Sequence, residues 1–250
     1  MDLAKFNFEP SVITDFMQSA IIDIGDELQL CVEVGGNPDH PPLLLIMGLG
    51  SQLVFWPDSF VKGLIDAGFF VIRFDNRDIG LSSKIARPFP RFPVNNVKMM
   101  LRMQVGLTNR HFPVAYNLFD MVEDTRRLLD KLALKNVYVV GASMGGMIAQ
   151  ILAAKYPKRV STLGLMFTSN NKPFLPPTKP KQLQTLLSHP KTTQIDDVVA
   201  YGVWCMQRIG SPNHVDEEEV ERLIRLRFER SYHPRGALQQ LQAILATGSI

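Results

Sequence analysis

The sequence predicts an α/β fold: a mostly parallel sheet with helices on both faces, opened by an N-terminal hairpin and followed by a helical cap. Three observations predict it. Short apolar runs at 43–47, 69–74, 137–140 and 162–167 have the length and continuity of strands buried on both faces. Helical patterns at 56–67, 116–132 and 144–156 stand between them, which is the alternation of a parallel sheet. After Phe167 no strand-like run appears, and the remaining patterns are helical.

Taken in order, residues 20–24 and 28–34 are β-rich runs separated by Gly25-Asp26-Glu27, a hairpin signature. Gly35 to Pro38 makes a turn into the strand 43–47, which ends in Gly48-Leu49-Gly50. The helix 56–67 stops at Gly68. The strand 69–74 runs into Asp75-Asn76-Arg77-Asp78-Ile79-Gly80. In 116–132, Leu118, Met121, Val122, Thr125, Leu128, Leu129 and Leu132 share one helical face.

Two segments break the rhythm. Residues 84–115 carry six basic side chains (Lys84, Arg87, Arg91, Lys98, Arg102, Arg110) and no acidic one, which reads as a solvated excursion at the site rim. Pro173, Pro176, Pro177 and Pro180 then form a stiff linker into helical patterns at 182–187, 195–209, 216–230 and 235–247. Asp216 with Glu219 resembles a capping box. We therefore divide the chain into a core, 1–169, and a helical cap, 170–250, with no internal repeat.

Composition excludes several classes. The 250 residues are 46% apolar and 20% charged, enough for one sizeable core, and the net charge of +3 does not argue for nucleic acid. The N-terminus has no continuous apolar signal region, and no apolar stretch approaches the ~20 residues a membrane-spanning helix needs. Cys31 and Cys205 read as free thiols of a reducing compartment, so a cytoplasmic protein without nucleic-acid or membrane partners is expected.

Gly141-Ala142-Ser143-Met144-Gly145 fits G-x-S-x-G, with a buried strand before it and a helix after it. A reversal this sharp strains the serine backbone, and only residues with little or no Cβ fit beside it. The Ser143 hydroxyl then stands above the sheet edge. The Met144 N–H has no helical acceptor and is available to an oxyanion. A second donor is expected from the loop after strand 43–47, and we assign it to the Leu49 N–H. A phosphate-binding loop is the competing chemistry, but G-x-G-x-x-G and the Walker lysine are absent. A glycine-rich turn with no chemistry is the other alternative.

MGLG after one strand, RFDNRDIGLSS after the next and GASMGG after the next but one resemble an α/β-hydrolase. The variant D-x-R-D-x-G-x-S (Asp75, Arg77, Asp78, Gly80, Ser82), with MG for the usual HG, is most similar to aclacinomycin methylesterase-like serine hydrolases. The resemblance covers roughly residues 20–169. It implies an α/β-hydrolase sheet with Ser143 as nucleophile and Leu49 and Met144 as oxyanion donors. Gly48, Gly141, Gly145, Asp75 and Arg77 would support the loops. It implies no cofactor or metal, and a small-molecule ester as substrate.

In that fold the acid and then the histidine follow the serine, each after a further strand. Neither strand is legible before Ile250. Two strand–helix units need roughly 50 residues, so 1–250 is expected to be the N-terminal part of a longer hydrolase, with the last strands of the sheet missing and little activity alone. His40, His111, His189, His214 and His233 read as surface or cap residues, His233 being the best substitute base among them. Phe174, Leu175, Trp204, Met206 and Met99, Met100 and Met103 are candidate lid-lining residues. Acyl transfer, perhydrolysis or lactone opening would use the same parts. A non-catalytic ligand-binding protein and an interfacial lipase are further alternatives.

Overall fold

A computed structural model describes residues 3–86, 94–176, 178–211, 213 and 215–250. Arg87, Arg91, Pro177 and His214 lie outside the described residues. The elements are β1 (Glu9–Pro10), β2 (Gln18–Gly25), β3 (Leu28–Gly35), β4 (Pro42–Ile46), α1 (Asp58–Asp66), β5 (Phe70–Phe74), α2 (Asn96–Gln104), α3 (Leu118–Lys131), β6 (Val137–Ala142), α4 (Met144–Lys155), β7 (Val160–Met166), α5 (Pro180–Leu187), α6 (Ile195–Ile209), α7 (Glu217–Arg230) and α8 (Pro234–Thr247). The seven strands form one mixed sheet in the order β1-β2-β3-β5-β4-β6-β7. β5, β4, β6 and β7 are mutually parallel, and the N-terminal strands are antiparallel. This is the expected α/β architecture, hairpin included.

The chain forms two compact units, residues 1–174 with 233–250, and Leu175–Tyr232. In the first, β4 shows why its apolar run is unbroken. Leu44 and Ile46 pack into the cluster under α3 and α4, while Leu43 and Leu45 pack with Val71, Trp56 and Val61 on the opposite face. Alternate side chains point to opposite faces, so a strand covered on both sides must be apolar at every position. Burial of each such side chain stabilises by about 1.5–3 kcal/mol.

The α3 stripe predicted from spacing is the buried one. Its start is fixed by a capping box: Asn117 accepts from the Asp120 N–H at 3.3 Å, and Asp120 accepts from the Asn117 N–H at 2.8 Å. α8, grouped in sequence with the cap, packs in this first unit. The Leu118 N–H donates to Thr247 Oγ1 at 2.8 Å, and Leu241 and Leu245 share a cluster with Met99 of α2.

Among the described residues, the second unit holds three helices, α5, α6 and α7. Tyr201 on α6 donates to Thr185 O and Ser188 O at 3.0 and 2.7 Å, tying α6 to the end of α5. α6 and α7 meet at Gly202, where a Cβ would collide with Ile224. Asp216 caps α7 by accepting from the Glu219 N–H at 3.1 Å. Pro180, read as linker, is the first residue of α5, where its missing N–H costs nothing. α2 lies inside the basic excursion, where no helix was read; Asn95, accepting from the Lys98 N–H, is its capping signal.

Candidate active site at the turn after β6

Three contacts force the turn between β6 and α4. A Cβ on Gly145 would overlap the Ile46 carbonyl, one on Gly141 the Gly145 carbonyl, and one on Gly146 the Thr168 side chain at 2.7 Å. Between them Ser143 adopts φ 51° and ψ −117°, a strained conformation for a residue with a Cβ. Its backbone is held from several sides. The Ser143 N–H donates to Met166 O at 3.0 Å, and Ser143 O accepts from Gly146 N–H, Met147 N–H and Thr168 Oγ1 at 3.0, 3.2 and 2.7 Å. Its hydroxyl, although at the N-cap of α4, makes no capping bond, and the side chain is partly exposed.

The loop after β4 lies against that hydroxyl. A Cβ on Gly48 would sit 3.6 Å from Ser143 Oγ and 3.1 Å from Ala142 O, so the loop runs close against the turn and a side chain there would need Ala142 O to give by a few tenths of an ångström. Side chains pin the loop. Asn76 Nδ2 donates to Met47 O at 3.0 Å, and Asp75 Oδ1 accepts from the Leu53 N–H at 2.8 Å. Gln240 Oε1 accepts from the Gly50 N–H at 2.8 Å, and the Ser51 N–H closes a turn onto Gly48 O at 3.2 Å. Among the described residues, the N–H groups of Leu49 and Met144 have no acceptor. Met144 opens α4, so the positive end of a helix dipole faces the same place. The arrangement can hold an anion beside a hydroxyl.

The segment after β5 is structural. Asp75 is fully buried and also accepts from the Leu81 N–H at 2.9 Å, while Ser82 Oγ donates to Asp75 O at 2.6 Å. Arg77 donates through Nε and Nη2 to the two carboxylate oxygens of Asp124 of α3, each at 2.5 Å, and its guanidinium lies 4.9 Å over the Tyr116 ring. Burial pushes the Asp124 carboxyl up against the opposing pull of Arg77. Asp78 holds the loop tip at φ 70° and accepts from the Ile85 N–H at 2.6 Å. Sequence reasoning placed Asp75 and Arg77 but missed Asn76, Thr168 and Gln240. Gln239 and Gln240 are buried together in an otherwise apolar helix face, a burial that only the fold reveals.

Among the described residues, nothing hydrogen-bonds to Ser143 Oγ. His40, His111 and His189 lie outside any such bond, and His189 Nδ1 contacts Pro190 O at 2.9 Å. His233 stands beside Asp78 at the start of α8; burial pushes its pKa down, partly countered by Asp78. Met99 is fully buried in the core rather than lining a surface, and Phe174 is exposed. Among the described residues, no group of three or more His, Cys, Asp or Glu could hold a metal, and no helix is long and apolar enough to cross a membrane. Cys31 and Cys205 are free thiols.

The chain belongs to the α/β-hydrolase fold family, whose model matches residues 41–198. Within it, the chain is similar to rhodomycin D methylesterase DnrP of Streptomyces peucetius, 36% identical over 141 residues, which cover 56% of this chain and 39% of that protein. It is also similar to the poly(3-hydroxyalkanoate) depolymerase of Ectopseudomonas oleovorans, 32% identical over 166 residues, 66% of this chain and 47% of that one. The chain thus spans less than half the length of these curated relatives. The 2-hydroxy-6-oxo-6-phenylhexa-2,4-dienoate hydrolase of Rhodococcus sp. strain RHA1 has the same fold, with TM-score 0.63 and 18% identity over 92% of this chain and 72% of that one.

Proposed function

We propose that the chain carries the nucleophile and oxyanion site of a serine hydrolase that cleaves small carboxylic esters. The observation that carries the proposal is a strained, uncapped Ser143 hydroxyl with the Gly48 loop close to it, together with Leu49 and Met144 N–H groups that have no acceptor among the described residues. On this proposal both N–H groups serve one oxyanion. Ser143 Oγ attacks the ester carbonyl and loses its proton to a base. The carbonyl oxygen becomes an oxyanion that accepts from the two N–H groups, each worth about 10²–10³ in kcat. Collapse expels the alcohol, which takes up the proton, and leaves an acyl-enzyme. Water then adds to the acyl carbon and releases the acid and Ser143.

Among the described residues no base is hydrogen-bonded to Ser143 Oγ. With no base engaged, Ser143 retains only the acceleration of binding and the oxyanion site, about 10³–10⁴ over water. Similarity to a methylesterase and a polyester depolymerase supports ester chemistry. A helical cap is part of the proposal, limited to 175–232 and not the 170–250 expected from sequence because α8 packs in the first unit, as is a cytoplasmic setting, which the free thiols Cys31 and Cys205 suit.

The test is a fluorophosphonate probe with adduct mapping by mass spectrometry. A slow adduct on Ser143, absent in Ser143→Ala and accelerated by added imidazole, is expected. An adduct elsewhere, or none after prolonged incubation of the folded protein, overturns the proposal and favours a non-catalytic binding protein. Product analysis separates hydrolysis from acyl transfer, perhydrolysis and lactone opening.

A further inference from the structure

We propose that Gln240 is a positioning residue that selects which amide of the loop after β4 is left for the oxyanion; this rests on the serine-hydrolase proposal above. Gln240 is fully buried on α8, and both ends of its amide are used. Oε1 accepts from the Gly50 N–H at 2.8 Å, and Nε2 donates to Arg77 O at 2.9 Å. The orientation is self-consistent, because a backbone N–H can only donate and a carbonyl can only accept.

α8 lies flush against the loop. Gly50 has φ +66°, and a Cβ there would be 3.1 Å from Ala237 Cβ, one turn before Gln240. A Cβ on Gly236 would overlap Asp78 O, so the helix also presses on the segment after β5. Gln240 therefore joins the two loops that Asn76 and Asp75 join from the other direction.

The consequence lies in the donor count. Along Gly50, Ser51 and Leu53, each N–H is spent on an acceptor within the protein: Gln240, Gly48 O and Asp75. The Leu49 N–H is not. Without the Gln240 amide, the Gly50 N–H and Arg77 O both lose a buried partner. The loop then gains by rotating its peptides to find other partners, and the Leu49 N–H loses the orientation that the proposed oxyanion site needs. No local sequence rule links residue 240 to residue 50; the juxtaposition exists only in the fold.

Two measurements test this. In the wild-type protein, residue-resolved amide exchange reads the loop directly. The Gly50 amide is expected to be protected at least tenfold more than the Leu49 amide, and equal or reversed protection overturns the proposal. In Gln240→Leu, which keeps bulk but no hydrogen bonds, the Gly50 protection is expected to vanish. The maximal rate of Ser143 labelling in imidazole is expected to fall 10–100-fold, with the half-saturating probe concentration changed less than threefold. Labelling at the wild-type rate overturns the positioning role, as does a loss confined to the half-saturating concentration. If the wild-type protein forms no Ser143 adduct, the serine-hydrolase proposal fails, and with it the positioning role, whereas the exchange result still decides whether Gln240 pins Gly50. If Gln240→Leu does not fold, the wild-type exchange result decides alone.

Discussion

At Gly145 one hydrogen separates a working turn from a clash. Its Cβ position lies inside the Ile46 carbonyl, so Gly145→Ala must push α4 away from β4. Overpacking of this kind costs about 1–3 kcal/mol, and labelling of Ser143 should fall with it. Gly63 makes the matched control. It lies within α1, and a Cβ there meets nothing within 4 Å. Gly63→Ala should therefore stabilise the protein by about 0.5–1 kcal/mol in urea titrations, because glycine is the poorer helix former. At this scale the sequence was informative. The glycines flanking Ser143 announce the turn, and Gly48 announces the near approach of the loop. Gln240 and Asn76 were not legible, because their partners are distant in sequence and an amide side chain carries no charge signal.

Between elements, charge does work that hydrophobic periodicity hides. Glu33 of β3 and Arg73 of β5 face each other in register, are almost wholly buried, and pair at 2.6 Å. Ser11 Oγ also donates to Glu33 at 2.7 Å. Removing one partner strands the other charge, so Glu33→Ala should cost about 3–5 kcal/mol in equilibrium unfolding. One acid and one base, each alone in an apolar strand run, were the signal for this pair. On the surface, Glu123 of α3 meets Lys155, Tyr156 and Arg126, and although its desolvation opposes them, these partners pull its carboxyl down to about 2. The folded form thus binds fewer protons than the unfolded chain between the two pKa values. The stabilisation is full above pH ~4.5 and is lost as pH falls toward 2. Glu123→Gln should flatten stability against pH in that window and leave the slope near neutrality unchanged. The strands and the α3 face were legible because both depend on local spacing. α2 was missed because proline and basic residues around it dilute its period.

At the scale of residues 1–250 as a whole, the β7 edge of the sheet is the consequential feature. β7 pairs only with β6 among the described residues, and Leu165, Met166 and Phe167 are 45, 36 and 79% exposed. An unprotected apolar edge is a template for self-association. Light scattering should rise with concentration for residues 1–250, and Leu165→Lys with Phe167→Lys should suppress it without changing the unfolding midpoint by more than a few tenths of a kcal/mol. The strands from β2 to β7 were legible in sequence, whereas their order in the sheet and β1 were not. Nor was the return of the chain into the first unit at His233, because α8 has the same helical period as the three helices before it.

That return has a consequence for synthesis. Gly50 and the side chain that holds it are 190 residues apart, so on a ribosome the turn bearing Ser143 emerges well before its companion loop is fastened. Closing so long a span costs little extra entropy but must wait for translation to reach α8. A nascent chain stalled anywhere before Pro234 would hold Ser143 beside a loop not yet fastened at Gly50, and on the proposed function the oxyanion site would be complete only once that helix had docked.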